Sequence, residues 1–156
     1  MSGEVVTLEP VTGKRVLAAF SELGLKYAVT PKEANIFVQY EGFAVYVSYL
    51  DNDENGLCWA ITAHWHRKLN VAYIATAKNV VQAHASSVFA PRLYFKVSDD
   101  GYIKFVTSWR LSFSEEGATD QQILDELRII LAATAETMVG LDHYFADPWM
   151  NAPEGV

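Results

Sequence analysis

Apolar positions first recur at helical spacing. After Thr12, a suitable N-cap, Val16, Ala19, Phe20 and Leu23 fall on one side, and Gly24 follows, so a short amphipathic helix is predicted here. Beyond Pro31 the period changes to two. Ile36, Val38 and Tyr40 alternate with Phe37 and Gln39, the pair Glu41-Gly42 offers a turn, and Phe43, Val45, Val47 and Tyr49 alternate after it. The polar run Asp51-Asn52-Asp53-Glu54-Asn55-Gly56 carries an Asn-Gly hairpin signal. It leads into a third strand, Cys58 to Trp65, with Trp59, Ile61, Ala63 and Trp65 on one face.

From Asn70, a second cap, the pattern is helical again. Val71, Ile74, Val81, Ala85 and Val88 form a stripe that is expected to face the sheet, and Pro91 ends it. A second stripe, Tyr73, Ala77, Val80 and His84, runs beside the first among small alanines. A two-sided helix of this kind calls for two partners: the sheet, and either another helix of this chain or the same helix of a second subunit. Leu93, Phe95 and Val97 then alternate inward with Arg92, Tyr94 and Lys96 outward, and Asp99-Asp100-Gly101 turns the chain. In the next strand Ile103, Phe105, Trp109, Leu111 and Phe113 share a face, with Lys104, Ser108, Arg110 and Ser112 on the other, as in a sheet packed on one side only. The last helix opens with a Thr119–Gln122 capping box and sustains a core stripe through Ile123, Leu127, Ile130, Leu131, Met138, Leu141 and Phe145. The expected fold is α+β, an antiparallel sheet of about five strands with helices on one face, in the order α-βββ-α-ββ-α. One domain is expected over residues 1–146, with a short tail over 147–156.

Composition narrows the function classes. With 156 residues, 51% of them hydrophobic and 20% charged, the chain can bury a core without disulfide or metal, and its single cysteine, Cys58, has no intramolecular partner. No run reaches the roughly 20 apolar residues of a membrane span, and Met1 to Pro10 lacks the pattern of a secretory signal, so a cytoplasmic protein is expected. Twelve Lys and Arg stand against nineteen Asp and Glu, a net charge of −7 that argues against nucleic acid and anionic membranes as partners.

Several motifs occur in an order that resembles the YbjN family. Val16-Leu17-Ala18-Ala19-Phe20-Ser21-Glu22-Leu23-Gly24-Leu25 is similar to its first helix, Ala90-Pro91-Arg92-Leu93-Tyr94 to its helix-to-strand joint, and Gly117-Ala118-Thr119-Asp120-Gln121-Gln122-Ile123-Leu124 to the opening of its final helix. Gln82-Ala83-His84-Ala85 departs from the family, whose members commonly carry an Asn-x-Trp-Asn-like stretch in that region. The resemblance implies a fold like that of type III secretion chaperones and homodimers that hold partner proteins non-covalently. It also implies a role in sensory transduction or stress regulation, with no agreed reaction and no catalytic set to carry over.

Individual motifs add little chemistry. Asp51-x-Asp53-x-Asn55-Gly56 copies the start of a calcium loop, but Thr62 stands where a bidentate glutamate is needed, so a solvated acidic hairpin explains it better. His64 and His66 lie two apart, and in a continuing strand they would face one way as weak metal candidates without a third ligand. His84, in the second stripe, could make association respond to pH. Nucleophile elbows, phosphate loops and Cys-x-x-Cys pairs do not occur. Tyr46, Arg92, Tyr94, Lys96, Lys104 and Arg110 would share the open sheet face, able to receive an acidic peptide or a small anion, although a wet sheet face carries such residues for solubility too. Trp149, in the tail, is the one tryptophan not assigned to the core. The reading is therefore a non-enzymatic regulator or chaperone-like adaptor without cofactor that binds partner proteins. A homodimer is expected through Tyr73, Ala77, Val80 and His84, and the alternative is a small-ligand or metal sensor using the polar sheet face.

Overall fold

A computed structural model describes residues 8–30, 35–50, 58–146 and 151–152. The acidic loop 51–56 and Trp149 lie outside the described residues. Helix α1 (Gly13–Glu22) begins where Thr12 Oγ1 accepts from the Arg15 amide at 3.3 Å, and it buries Val16, Ala19 and Phe20. Gly24 closes it at φ +73°, a conformation that suits a residue without Cβ. Strands β1 (Tyr27–Thr30), β2 (Asn35–Tyr40), β3 (Phe43–Leu50) and β4 (Cys58–His64) then pair antiparallel in sequence order. Glu41 and Gly42, at φ 50° and 87°, supply the two positive φ angles that a two-residue hairpin with right-handed twist needs.

β5 (Lys68–Asn70) leads into a single 3-10 turn, Val71–Tyr73, and then into α2 (Ile74–Ser87). β6 (Arg92–Val97) follows the cis Ala90–Pro91 peptide and pairs with the long β7 (Tyr102–Ser112). Along its other edge β7 pairs first with β5, through Tyr102 and Ile103, and then with β4. α3 (Asp120–Tyr144) opens with the expected reciprocal box, the Thr119 amide donating to Gln122 Oε1 at 2.9 Å and the Gln122 amide to Thr119 Oγ1 at 3.1 Å. β8 (Asn151–Ala152) adds to β5.

The α+β class and the antiparallel sheet are as expected, while the strand count differs: eight strands among the described residues, against about five. The additional strands β1, β5 and β8 have four, three and two residues, too few for an alternation to register. Alternation sorts most of the rest, with Val97, expected inward, the exception: it lies at the last position of β6 and is exposed. Val45, Val47, Trp59, Ile61, Ala63, Phe105 and Leu111 are buried with α1 and the whole predicted α3 stripe, whereas Tyr46, Lys96, Lys104 and Arg110 on the opposite face are exposed. Thr107 shares the inward face and is buried as well. Among the described residues no helix is long and apolar enough to cross a membrane.

α2 corrects the expectation for its two stripes. Val71, Ala85 and Val88, assigned to the core, are exposed, and the residue sealed against the core is Ala77. The 3-10 turn ahead of the helix advances each residue by about 20° more than an α-helix does. Ile74 and Val81 of the first stripe still pack partly buried against the core beside Tyr73 and Val80 of the second, so after this turn the inward face lies between the two stripes, centred on Ala77.

Candidate functional site

The register brings the outward residues of five strands into rows across the open face. Lys96 and Lys104 are direct cross-strand partners. The next row holds His64, Val106 and Tyr94, and the one after it Tyr46, Thr62, Ser108 and Arg92. Arg110 follows, opposite Ala60. All six residues predicted for the open face therefore lie together, and His64 joins them. The rings of Tyr46 and His64 meet edge to face at 5.3 Å, and Phe37 packs on Tyr46 at the same distance.

Val106 lies on this wet side yet is only 1% exposed. Flanked in its row by His64 and Tyr94, it forms an apolar floor under longer side chains. Burial, and then the charges of Lys96 and Lys104, hold the His64 imidazole below its ordinary pKa. Lys96 Nζ reaches to 6.0 Å from the Tyr94 ring centre. Among the described residues Arg92, Lys96, Lys104 and Arg110 form no ion pair. The neighbouring Asp100, in the turn before β7, accepts from the Ser98 hydroxyl and lies 3.7 Å from Lys68 Nζ. The Ser98 hydrogen bond is the leading cause of its lowered pKa.

The two weak metal candidates are separated. β4 ends at His64, and His66 turns to α3, its Nε2 3.4 Å from Asp142 Oδ1. Asp142 also accepts from Trp65 Nε1 at 2.9 Å and lies 3.8 Å from Arg67 Nε, so it ties the exit of β4 to the end of the last helix. Lysines beside His64 oppose a cation, and no group of three metal-ligating side chains occurs among the described residues.

The predicted dimer stripe is also divided. Ala77 has no exposed surface and is closed to a second subunit, while Tyr73 is half-buried against the chain's own core. Val80 and His84 line a groove of about 550 Å³ between the end of α2, the 88–91 turn and the last third of α3. His84 Nε2 lies 2.7 Å from the Pro91 carbonyl oxygen, which anchors that turn. Thr137, Gly140 and Tyr144 form the far wall. Phe89 stands at the rim with its side chain wholly in solvent. Phe89 was not singled out in the sequence, because a lone aromatic between the end of a helix and a proline carries no periodic signal.

No family model matches the chain, and no curated protein matches it. Among solved structures, the crystal structure of YbjN from E. coli, which is described as a proposed transcription regulator, superposes with a TM-score of 0.68. The two are 16% identical, over 94% of this chain and 99% of that one. The resemblance seen in the motifs thus extends to the order and pairing of the elements, and the chain has the YbjN fold.

Proposed function

We propose that this protein is a regulatory or chaperone-like adaptor that works without catalysis, by binding partner proteins, and that it does so as a homodimer. The observation that carries this reading is the α2–α3 groove with Phe89 at its rim. A fully exposed phenylalanine costs about 1.5–3 kcal/mol relative to a buried one, so a partner surface is its natural destination. A two-fold dimer requires that one patch carry both the projecting group and the recess that receives it. This patch does, since Phe89 projects where Val80, Leu93 and Leu141 line an apolar hollow of suitable size. The regulatory role attributed to YbjN, which shares the fold, agrees with this reading.

Native mass spectrometry on protein purified without chelator tests it, with Phe89→Asp as the variant. The expected result is a dimer that becomes a folded monomer in the variant, because Phe89 contributes nothing to the core of a single chain. A wild-type monomer over a wide concentration range would refute the dimer. A stoichiometric added mass would instead support a small-ligand sensor.

A further inference from the structure

We propose that the open sheet face is a docking surface for an extended acidic segment of a partner protein, its carboxylates meeting Lys96, Lys104, Arg92 and Arg110 and its apolar groups lying on Tyr46 and Tyr94. The inference rests on the partner-binding reading and adds the chemistry of the partner. Three features point to it. In a chain with net charge −7, four of twelve cations stand on one face without an ion pair among the described residues, and the described strand positions of that face carry no carboxylate. Lys96 and Lys104 are set directly opposite each other, an arrangement that repels in the free protein and is relieved when an anion bridges it. The cations alternate with aromatic rings over an apolar floor, Val106, so the surface offers burial as well as charge.

From Lys104 to Arg110 the face spans six residues, about 20 Å, the reach of roughly seven residues of extended peptide. On β6, Leu93 points away from this face, into the α2–α3 groove. A partner on the open face and a second copy at the groove therefore do not compete.

Fluorescence anisotropy with a labelled peptide of about eight residues, repeating two glutamates and two tyrosines so that each side of the extended chain carries both, tests the proposal. Folded wild-type protein should bind it, more weakly as salt rises through the screening range. Lys96→Glu/Lys104→Glu should weaken binding by about tenfold or more, and Arg92→Gln/Arg110→Gln should reproduce the direction in a variant that leaves the lysine pair intact. Phe89→Asp should leave binding unchanged, which separates failure of the dimer reading from failure of this one. No binding at low salt, or binding by both charge variants as tight as that of the wild type, would overturn the proposal. So would tighter binding of a single-stranded oligodeoxynucleotide of equal length, which would make the face a reader of phosphate.

Discussion

Arg15 is the side chain on which the seam between the N-terminal segment and the start of α3 depends. Its Nη1 donates to the carbonyl oxygens of Glu9 at 2.6 Å and Pro10 at 3.1 Å, and its Nη2 to that of Ala118 at 2.7 Å. Nη2 and Nε also reach Asp120 Oδ1 at 2.8 and 3.2 Å. The guanidinium is mostly covered, with 17% of the side chain exposed, while Asp120 is 92% exposed. The carboxylate partner is therefore the minor one, worth about 0–1 kcal/mol as an exposed pair. The carbonyl contacts are charge-assisted, and the part-buried one to Ala118 is hard for water to replace, so it is worth about 1–2 kcal/mol, with less from each exposed carbonyl. Arg15→Met keeps the stem and removes every donor, and should cost about 2–3 kcal/mol. Arg15→Lys, which lacks the planar fork, should recover less than half of that, and Asp120→Asn should cost under about 1 kcal/mol. Urea unfolding followed by tryptophan fluorescence reads all three as midpoint shifts at constant slope. If Asp120→Asn proved as damaging as Arg15→Met, or Arg15→Lys behaved as wild type, the seam would be an ion pair rather than a carbonyl clamp.

Two further outcomes follow from the same geometry. Gly117→Ala should destabilise strongly, because a Cβ there would lie 1.8 Å from the Glu9 carbonyl oxygen at a φ of +93°, and the Glu9–Ala118 bridge would have to open; thermal melting measures it. His64 is held below its ordinary pKa by burial and then by Lys96 and Lys104, with Tyr46 its aromatic neighbour, so the folded state binds its proton less readily than the unfolded chain does. Stability should fall as pH drops from 6.5 through the lowered folded value and level off below it. His64→Gln should remove that step and Lys96→Glu should reduce it, and a pH series of urea midpoints that showed no difference would contradict the assignment.

Local signals were legible because their physics is local. Thr12 and the Thr119–Gln122 box cap the helices they were expected to cap, and Asn70 caps the 3-10 turn that opens α2, since a hydroxyl or amide two or three residues from an unpaired backbone amide needs nothing from the rest of the chain. Alternation placed Tyr46, Arg92, Tyr94, Lys96, Lys104 and Arg110 on the outer face for the same reason. Neighbourhood across strands was not legible. Asp99-Asp100-Gly101 foretells a hairpin that sets Lys96 beside Lys104, but the meeting of His64 with both depends on β4 pairing along the other edge of β7, which no local pattern encodes. The phase of α2 was lost for a similar reason: both stripes are apolar, and the inward face falls between them, on Ala77, with Ile74 and Val81 on one side and Tyr73 and Val80 on the other.

β6 is where these two kinds of information meet. Its inward residue Leu93 lines the groove, and its outward residues Arg92, Tyr94 and Lys96 form one flank of the cationic face, so a six-residue strand is shared by both candidate surfaces. Because successive side chains of a strand point to opposite sides, the two surfaces are separated by only the thickness of the sheet. Both surfaces could then be occupied at once on the same subunit. In a two-fold dimer formed at the groove, each copy would keep its own cationic face outward. Two linked acidic segments would then gain by effective concentration, so a tandem acidic peptide should bind the dimer much more tightly than a single one, and Phe89→Asp should abolish that gain while leaving the single-peptide affinity as it was.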